Sequence, residues 1–342
     1  MLLIRLRSLG DAILTLPLIE ALHEWRPDLH LDVLIEAPHA PVLQHPAVHE
    51  ILMMRARQRP DAGGWSRLRI AYEIRKRHYP VVLNLHGGTT SMLFTLISGA
   101  RLRIGQAEHR SSWIYSARIP SSSIIWKRPK LHTVEHQLSF MRWLELPTPI
   151  EAAGFLHADN RAKDRIRERL ARFGISVYFL IQPSATLASK QWSSENYARL
   201  GDLLFRQFGR QIIYTAGLHE TDVLRRIREA SRERHIYWSD LPLCDLIALI
   251  EGCRLFIGND SGPTHAASAL GKPLVVIWGS SNFDAWRPWG TEYEVVRSEL
   301  PCMPCPGYTC TAFEEPRCIL EIPVRQVAEA CERILQRTER RE

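Results

Sequence analysis

Residues 255–290, LFIGNDSGPTHAASALGKPLVVIWGSSNFDAWRPWG, decide the fold of this chain. An apolar run (Leu255–Ile257) breaks into the polar loop GNDSGPTH, and a helix pattern of small residues follows up to Gly271. A second apolar run (Pro273–Trp278) comes next. The pattern predicts a strand, a tight loop, a helix and a second strand. In an open α/β sheet, ligands bind outside the carboxyl ends of the strands, where this loop lies.

The loop itself fits a phosphate site. Pro263 suits the first turn of a helix, and Ser261 or Asp260 can cap that helix. The free N–H groups around Gly262, together with the imidazole of His265, could hold a phosphate. Asp260 could accept hydrogen bonds from a sugar hydroxyl. On local physics alone, a well-capped turn with a satisfied surface histidine explains the same residues equally well.

The loop, the small-residue helix and the WG strand end resemble the donor-site motif of the ADP-heptose:lipopolysaccharide heptosyltransferase family (glycosyltransferase family 9). Residues 2–22 and 182–192 also resemble the family, and the likeness covers nearly the whole chain. It implies the GT-B architecture, α/β with two Rossmann-like doubly wound domains facing each other across a cleft. We therefore expect an acceptor-binding domain at 1–155, a nucleotide-sugar-binding domain at 156–325, and a C-terminal helix and tail at 326–342.

The opening segment resembles the family's strand, glycine–aspartate turn and helix. Leu2–Leu6 predicts a strand, and Ala12–Trp25 has the apolar spacing of a helix that carries a proline. From the residues alone, Asp11 is explained as an acidic residue at a helix start. The resemblance assigns Asp11 as the general base that removes the proton of the acceptor hydroxyl. It places Gly10 on the acceptor side. Arg7 stands where the family often has Lys or Thr, which leaves the acceptor contacts open.

A second acceptor-side loop follows the predicted strand Val81–Leu85. It reads HGGTTS and begins at His86. The resemblance implies contacts from His86 to the acceptor, although a plain turn between a strand and a helix also explains this loop.

Lys190 lies in a loop rich in hydroxyl side chains after the predicted strand Val177–Ile181. A single lysine among serines and threonines suits a pyrophosphate, which takes a mobile point charge together with hydroxyl donors. An exposed polar loop is the alternative. The KQW sequence at Lys190 resembles the family's lysine–x–tryptophan, which implies donor binding by Lys190, with support from Ser184 and Thr186.

Glu220 follows the predicted strand Gln211–Thr215. A carboxylate at this point can bind a ribose diol, as in other nucleotide sites on this type of sheet. The alternative is a helix-start charge, and the resemblance favours the ribose contact.

Four of the seven cysteines lie close together in the sequence, at Cys302, Cys305, Cys310 and Cys318. The spacing C-x2-C-x4-C-x7-C, with prolines and a glycine between, is compatible with a structural zinc or iron ion bound by thiolates. Some members of the family carry a similar cluster. Free thiols are the alternative, and disulfides are disfavoured in the cytoplasm.

Composition and charge indicate which classes of binding partner the protein can have. The chain has 342 residues and a net charge of +7, and residues 55–77 hold eight Arg or Lys against two acidic residues. A basic surface suits an anionic partner, a phosphorylated glycolipid or the inner membrane leaflet; a solvated face is the plain alternative. No zinc-finger, RNA-recognition or basic-zipper pattern is present, which argues against nucleic acid.

No apolar run reaches the ~18 residues of a membrane span, and the amino end lacks a signal-peptide pattern. We expect a cytoplasmic protein, with peripheral contact to the inner face of the inner membrane.

The resemblance implies a single inverting displacement that moves heptose from ADP-heptose to a lipopolysaccharide inner-core acceptor. Lys190, the helix start at 261–265 and His265 would stabilise the charge that grows on the diphosphate, with no catalytic metal or cofactor. Three alternatives remain open from the sequence. The first is a glycosyltransferase of the same fold that uses another donor, or that uses a protein or another glycan as acceptor. The second is a nucleotide-sugar epimerase, and the third is a catalytically dead nucleotide-binding protein.

Overall fold

A computed structural model describes residues 1–55, 64–149, 156–305 and 309–340. The chain divides into two compact units, Met1–Leu156 and His157–Glu342. The predicted linker around residues 146–160 lies at this division, and its residues 150–155 are outside the described part. Within the described ranges, no helix combines the length and the apolar character that crossing a membrane would need.

The first unit contains a six-stranded sheet in which all strands are parallel. Its strands are β1 (Leu2–Ile4), β2 (Leu31–Glu36), β3 (Val48–Met54), β4 (Val81–Asn84), β5 (Leu102–Gln106) and β6 (Ala117–Ile119). The order across the sheet is β3-β2-β1-β4-β5-β6. The direction of winding therefore reverses between β1 and β4. The loops that leave the carboxyl ends of these two strands diverge there, and this divergence forms the binding crevice of doubly wound sheets.

Helices cover this sheet and close a core made largely of Leu, Ile, Val and Phe. They are α1 (Leu9–Ile13), α2 (Leu16–Trp25), α3 (Gly64–Lys76), α4 (Thr89–Ile97), α5 (Ser122–Trp126) and α6 (Thr133–Trp143). The prediction of one helix over Ala12–Trp25 is wrong, because α1 ends and α2 restarts three residues later. Pro17 explains the break: inside a continuous helix its ring would clash with the carbonyl of Ile13, whereas it fits the first turn of α2.

The second unit repeats the topology of the first. Its strands are β7 (Tyr178–Gln182), β8 (Gln211–Thr215), β9 (Ile236–Trp238), β10 (Leu255–Asn259), β11 (Leu274–Trp278) and β12 (Tyr293–Arg297). All are parallel, in the order β12-β11-β10-β7-β8-β9. The winding reverses between β7 and β10, so the predicted strand–loop–helix–strand segment is confirmed and β10 lies at the centre of the sheet.

The helices of the second unit surround the buried strands β7, β10 and β11. They are α7 (Asn160–Ala171), α8 (Ser194–Phe208), α9 (Thr221–Ala230), α10 (Leu243–Gly252), α11 (Gly262–Ala269), α12 (Phe283–Trp286), α13 (Arg317–Leu320) and α14 (Val324–Glu339). The apolar face of α14 belongs to the same core as β7 and β10, with Val327, Ile334 and Leu335 buried. Two parallel α/β units of the doubly wound type confirm the predicted fold class.

Candidate active site

In the second unit, the predicted donor-site residues follow the carboxyl ends of three strands, β7, β8 and β10. Ser184 and Lys190 follow β7, Glu220 follows β8, and Asp260 follows β10 directly. Because β7 and β10 pair in parallel, their loops leave the same edge of the sheet at the reversal point. Residues that are far apart in sequence are thereby brought together.

Lys190 and Asp260 form an ion pair at this edge. Lys190 Nζ donates to Asp260 Oδ2 at 2.7 Å, and the Asp260 side chain is only 4% exposed against 23% for Lys190. Ser281 Oγ donates to the same carboxylate oxygen. His265 Nε2 lies 3.7 Å from Asp260 Oδ1. A buried carboxylate therefore binds the lysine and lies beside the histidine, the two residues that the resemblance assigns to the diphosphate.

A second set of hydrogen bonds joins Ser184 and Glu220. Ser184 Oγ donates to Glu220 Oε2 at 2.6 Å, and Gln182 Nε2 donates to Ser184 Oγ at 2.6 Å. The backbone N–H of Gly217 donates to Glu220 Oε2 at 3.0 Å. Glu220 is thus bonded to the loop of the neighbouring strand, and it also stands at the start of α9. The helix-start position is thus present, and the ribose contact stays a prediction.

The helix α11 begins at the loop DSGPTH, as expected. Ser261 is its N-cap residue, but its hydroxyl donates to Gln182 Oε1 at 3.4 Å and makes no capping bond. Thr264 Oγ1 donates instead to the carbonyl of Asn259. The first N–H groups of a helix have no intrahelical acceptor. The start of α11 at Gly262 therefore offers backbone donors beside the Lys190–Asp260 pair. Thr186 lies exposed in the loop that carries Lys190.

In the first unit, Asp11 lies in the first turn of α1, beyond the carboxyl end of β1. Arg5 Nη2 donates to Asp11 Oδ1, while the backbone N–H and the hydroxyl of Ser8 each donate to Oδ2 at 3.1 Å. Arg5 Nη1 also donates to the carbonyl of Leu85 at 2.6 Å, at the end of β4. The Asp11 side chain remains 20% exposed. Its carboxylate is held in one orientation and still open to solvent, as a general base needs to be. Gly10 is buried in the same turn.

His86 follows β4, the strand that pairs with β1, and its loop has a defined conformation. Asn84 Oδ1 accepts from the N–H groups of His86 and Gly87, at 3.0 and 3.1 Å. Gly87 has φ +67°, and a Cβ there would lie 2.4 Å from the ring of His109. Burial lowers the pKa of His86 to about 4, and the nearby cations of Arg5 and Arg7 act in the same direction. The imidazole is therefore neutral at physiological pH and can accept a hydrogen bond.

Arg5, Ser8, Gln182 and Ser281 are side chains of these clusters that were not predicted from the sequence. Arg5 follows the apolar residues of β1. A charged residue at the end of a buried strand is a signal that could have indicated a polar partner for Arg5. Ser281 lies in the GSSN loop after β11, and its contact with Asp260 joins two loops that are separated in sequence. The GSSN loop packs on the Lys190 loop, since Ser280 Oγ lies 2.8 Å from Ser189 Oγ and a Cβ on Gly279 would lie 2.4 Å from the Ser189 carbonyl oxygen.

The four clustered cysteines are near neighbours but are not gathered around one point. Burial raises the pKa of the Cys318 thiol to about 11, and the other three cysteines, at 302, 305 and 310, add to this effect. The pKa of Cys305 is raised as well, first by burial. In the part of the chain that the structure describes, no three of these sulfur atoms all lie within 4.8 Å of one another.

Comparison with known proteins gives a consistent result. The family model described as glycosyltransferase family 9 (heptosyltransferase) matches residues 67–314. Lipopolysaccharide heptosyltransferase 3 of Escherichia coli (strain K12) is 27% identical over 295 residues, which cover 83% of each chain.

Solved structures share the fold over almost the entire length. A glycosyl transferase family 9 protein from Veillonella parvula DSM 2008 has a TM-score of 0.85 at 20% identity, with 98% of this chain and 97% of that chain covered. The E. coli ADP-heptose lps heptosyltransferase II has a TM-score of 0.81 at 20% identity and 99% coverage of both chains. These likenesses extend to both units.

Proposed function

The chain belongs to glycosyltransferase family 9 (heptosyltransferase) and is a transferase, and we propose that it moves a heptose from ADP-heptose to a lipopolysaccharide inner-core acceptor. The observation that carries the proposal is the cluster of Lys190, Asp260, Ser184 and Glu220 at the reversal point of the second sheet. Relatives named as lipopolysaccharide and ADP-heptose heptosyltransferases support the choice of donor and acceptor.

The second unit is proposed to hold the nucleotide-sugar. The diphosphate would take the ammonium of Lys190 and the backbone donors at the start of α11, with His265 beside them. Glu220 would accept hydrogen bonds from the ribose hydroxyls, with Ser184 and Thr186 as further hydroxyl partners. These donors are fixed before reaction, so they stabilise the negative charge that develops as the sugar–phosphate bond breaks.

The first unit is proposed to bind the acceptor, with Asp11 as the base. Its carboxylate accepts the proton of the acceptor hydroxyl while that oxygen attacks the anomeric carbon and the diphosphate leaves, so the configuration at that carbon inverts. Arg5 and Ser8 hold the carboxylate in place. Gly10 and His86 line the acceptor side. No step of this reaction calls for a catalytic cofactor.

The donor is tested by the melting temperature of the purified protein with ADP, UDP and GDP at matched concentrations. A nucleotide at ~100 times its dissociation constant stabilises the folded state by about 2.7 kcal/mol, a readable shift. Selective stabilisation by ADP supports the proposal and leads to an assay with ADP-heptose. Preference for UDP or GDP would overturn the donor and keep the fold. Conversion of the nucleotide-sugar in the absence of an acceptor would indicate an epimerase. A melting temperature that does not change with any of the three nucleotides would indicate a dead site.

We further propose a cytoplasmic location with peripheral contact to an anionic membrane surface through α3. Leu68 and Tyr72, one helical turn apart, are 62% and 64% exposed, and Arg69, Arg75 and Lys76 on the same helix are exposed as well. Apolar side chains flanked by cations suit an anionic lipid surface. The remainder of the predicted basic segment, Arg57, Arg59 and Asp61, lies outside the described residues.

Vesicle sedimentation tests this face. We expect binding to vesicles that contain phosphatidylglycerol and little binding to pure phosphatidylcholine. The double variant Leu68→Gln/Tyr72→Gln should release the protein, whereas Leu203→Gln, at an exposed leucine of α8, should not. Equal binding by both variants would contradict the assignment.

We also propose a structural zinc or iron ion at Cys302, Cys305, Cys310 and Cys318, which requires the loop to bring the sulfur atoms closer together than they lie in this structure. Four thiols are a suitable donor set for either metal, and such an ion would hold the loop without taking part in the reaction. Because burial keeps the thiols of Cys305 and Cys318 protonated, metal binding would release protons. Elemental analysis of untagged protein should find about one metal equivalent per chain less in Cys305→Ser than in the wild type, and no loss in Cys244→Ser. A metal content that is unaffected by Cys305→Ser would contradict this site.

A further inference from the structure

A second group of potential metal ligands lies at the amino ends of β2 and β3. His30 immediately precedes β2, Asp32 is the second residue of β2, and His49 is the second residue of β3. In the described residues, this is the group of three whose ligand atoms all lie within 4.8 Å of one another. The cluster is remote from Asp11, because Asp32 pairs with Leu2 at the amino end of β1 whereas Asp11 follows its carboxyl end.

A bulge in β3 brings His49 to Asp32. The register between the two strands pairs Leu31 with Val48 and then Asp32 with Glu50, so His49 is the extra residue. A bulge re-aims the side chain of the inserted residue. Here it brings His49 against His30, with the two ring centroids 3.6 Å apart.

Both distances from the carboxylate to the imidazoles are close to the edge of a coordination tetrahedron. His49 Nδ1 lies 3.2 Å and His30 Nε2 lies 3.6 Å from Asp32 Oδ1. Zinc bonds to nitrogen and oxygen of about 2.0–2.1 Å require ligand atoms roughly 3.3 Å apart in a tetrahedron. All three atoms lie within 4.8 Å of one another, so rotations of the two exposed imidazoles can bring them around one ion.

Hydrogen bonds to Oδ2 of Asp32 orient the carboxylate so that its Oδ1 faces the two imidazoles. Asp32 Oδ2 accepts from Arg77 Nη1 at 3.1 Å and from the hydroxyl of Tyr79. The Asp32 side chain is 2% exposed, and its Oδ1 is directed at the two imidazoles. Hydrogen bonds that hold a ligand from behind are a regular feature of metal sites.

The local charge is compatible with a cation. Arg77 makes two hydrogen bonds to Glu50, of 2.6 and 2.7 Å, so its charge is matched within the cluster and Asp32 remains as an additional negative charge. The amino group of Met1 donates to the carbonyl of His30 at 2.7 Å.

We propose that His30, Asp32 and His49 bind a divalent transition-metal ion, with Zn²⁺ as the best fit. Two neutral imidazoles and one carboxylate form a borderline donor set that suits zinc and leaves a position for water. Both histidines are exposed, so the ion has direct access from solvent. The ion joins the amino ends of two adjacent strands and acts on stability, apart from the transfer reaction.

Zinc titration calorimetry tests the site on chelator-treated, dialysed protein without a polyhistidine tag. We expect His30→Ala and His49→Ala each to lose one zinc equivalent or to bind it at least tenfold more weakly. His157→Ala, at an exposed histidine of the second unit, is the matched control and should bind as the wild type does. The cysteine cluster can also bind zinc. The site is therefore judged by the difference in bound zinc and in zinc affinity between each variant and the His157→Ala control.

A stability measurement gives an independent readout. Zinc should raise the melting temperature of the wild type and of His157→Ala by the same amount, and that of His49→Ala by less. Each shift is measured against the same variant without metal, because His49 also contacts the buried Asp32 and its loss can change the metal-free melting temperature. Zinc stoichiometry, affinity and melting shift that are identical in all four proteins would overturn the proposal.

Discussion

Lys190 and Asp260 are 70 residues apart in sequence, yet Lys190 Nζ and Asp260 Oδ2 are joined by a hydrogen bond of 2.7 Å. Each residue follows one of the two strands between which the winding of the second sheet reverses. The pair places a cation beside the backbone donors of α11 before any ligand is bound. A diphosphate that enters this position would take the ammonium from a carboxylate that is already held by Ser281.

Replacement of Lys190 should mainly weaken nucleotide binding. A hydrogen bond to a charged group contributes about 1.5–3 kcal/mol, so the dissociation constant of ADP should rise at least ~10-fold in Lys190→Ala. Lys163→Ala is the matched control, because Lys163 also makes an ion pair, of 2.6 Å to Glu251, on the outside of the second unit. Titration calorimetry with ADP measures both. An unchanged dissociation constant in Lys190→Ala would remove this lysine from the donor site.

Asp11→Asn should abolish most transfer and leave nucleotide binding intact. The amide keeps the size of the carboxylate but cannot accept the proton, and loss of a general base costs about 10²–10⁴-fold in rate. The measurement is kcat for sugar transfer together with the dissociation constant of ADP. Asp28→Asn, which alters an exposed aspartate paired with Arg26 at 3.4 Å, should have no effect. Normal turnover in Asp11→Asn would exclude the assigned base.

His86 should remain neutral down to mildly acidic pH. Burial and the cations of Arg5 and Arg7 lower its pKa from 6.5 to about 4, so its ring proton resonances should not shift between pH 8 and 5.5. Assignment uses the spectrum of His86→Gln. The unfolded chain binds more protons between pH 6.5 and 4, so His86 makes stability fall as the pH drops through this window. His86→Gln should reduce that acid loss, and a ring titration near pH 6.5 would refute the assignment.

Gly87→Ala should destabilise the first unit through two effects that a control can separate. An alanine at φ +67° costs about 1–2 kcal/mol, and its Cβ would collide with His109. Gly174 has φ +66° but nothing within 4 Å of its added Cβ. Gly174→Ala should therefore show the backbone cost alone. Denaturant unfolding should show a larger loss for Gly87→Ala, and equal losses would mean that the His109 ring moves away freely.

Several predictions from the sequence hold because they depend on neighbouring residues. The order of β10, loop, α11 and β11 follows from two apolar runs, a proline suited to a first helical turn and a cluster of small residues. The split between α1 and α2 could have been predicted as well, since Pro17 carries the signal in its own position. The apolar spacing of residues 12–25 fits one continuous helix, and for that reason the break between α1 and α2 was not predicted.

The sequence alone determined where the candidate loops lie: the Asp11 turn, the Lys190 loop and the DSGPTH loop each follow a predicted strand, and the resemblance to the family gave them their proposed roles. Only the tertiary structure decided which side chains meet. Arg5 contacts Asp11, Ser281 contacts Asp260, and a one-residue bulge brings His49 onto Asp32. The reason is that local spacing specifies strands, turns and helix starts, whereas these contacts depend on how loops pack and on strand order and register. Those are set by the packing of the whole sheet, and a shift of one residue redirects a side chain.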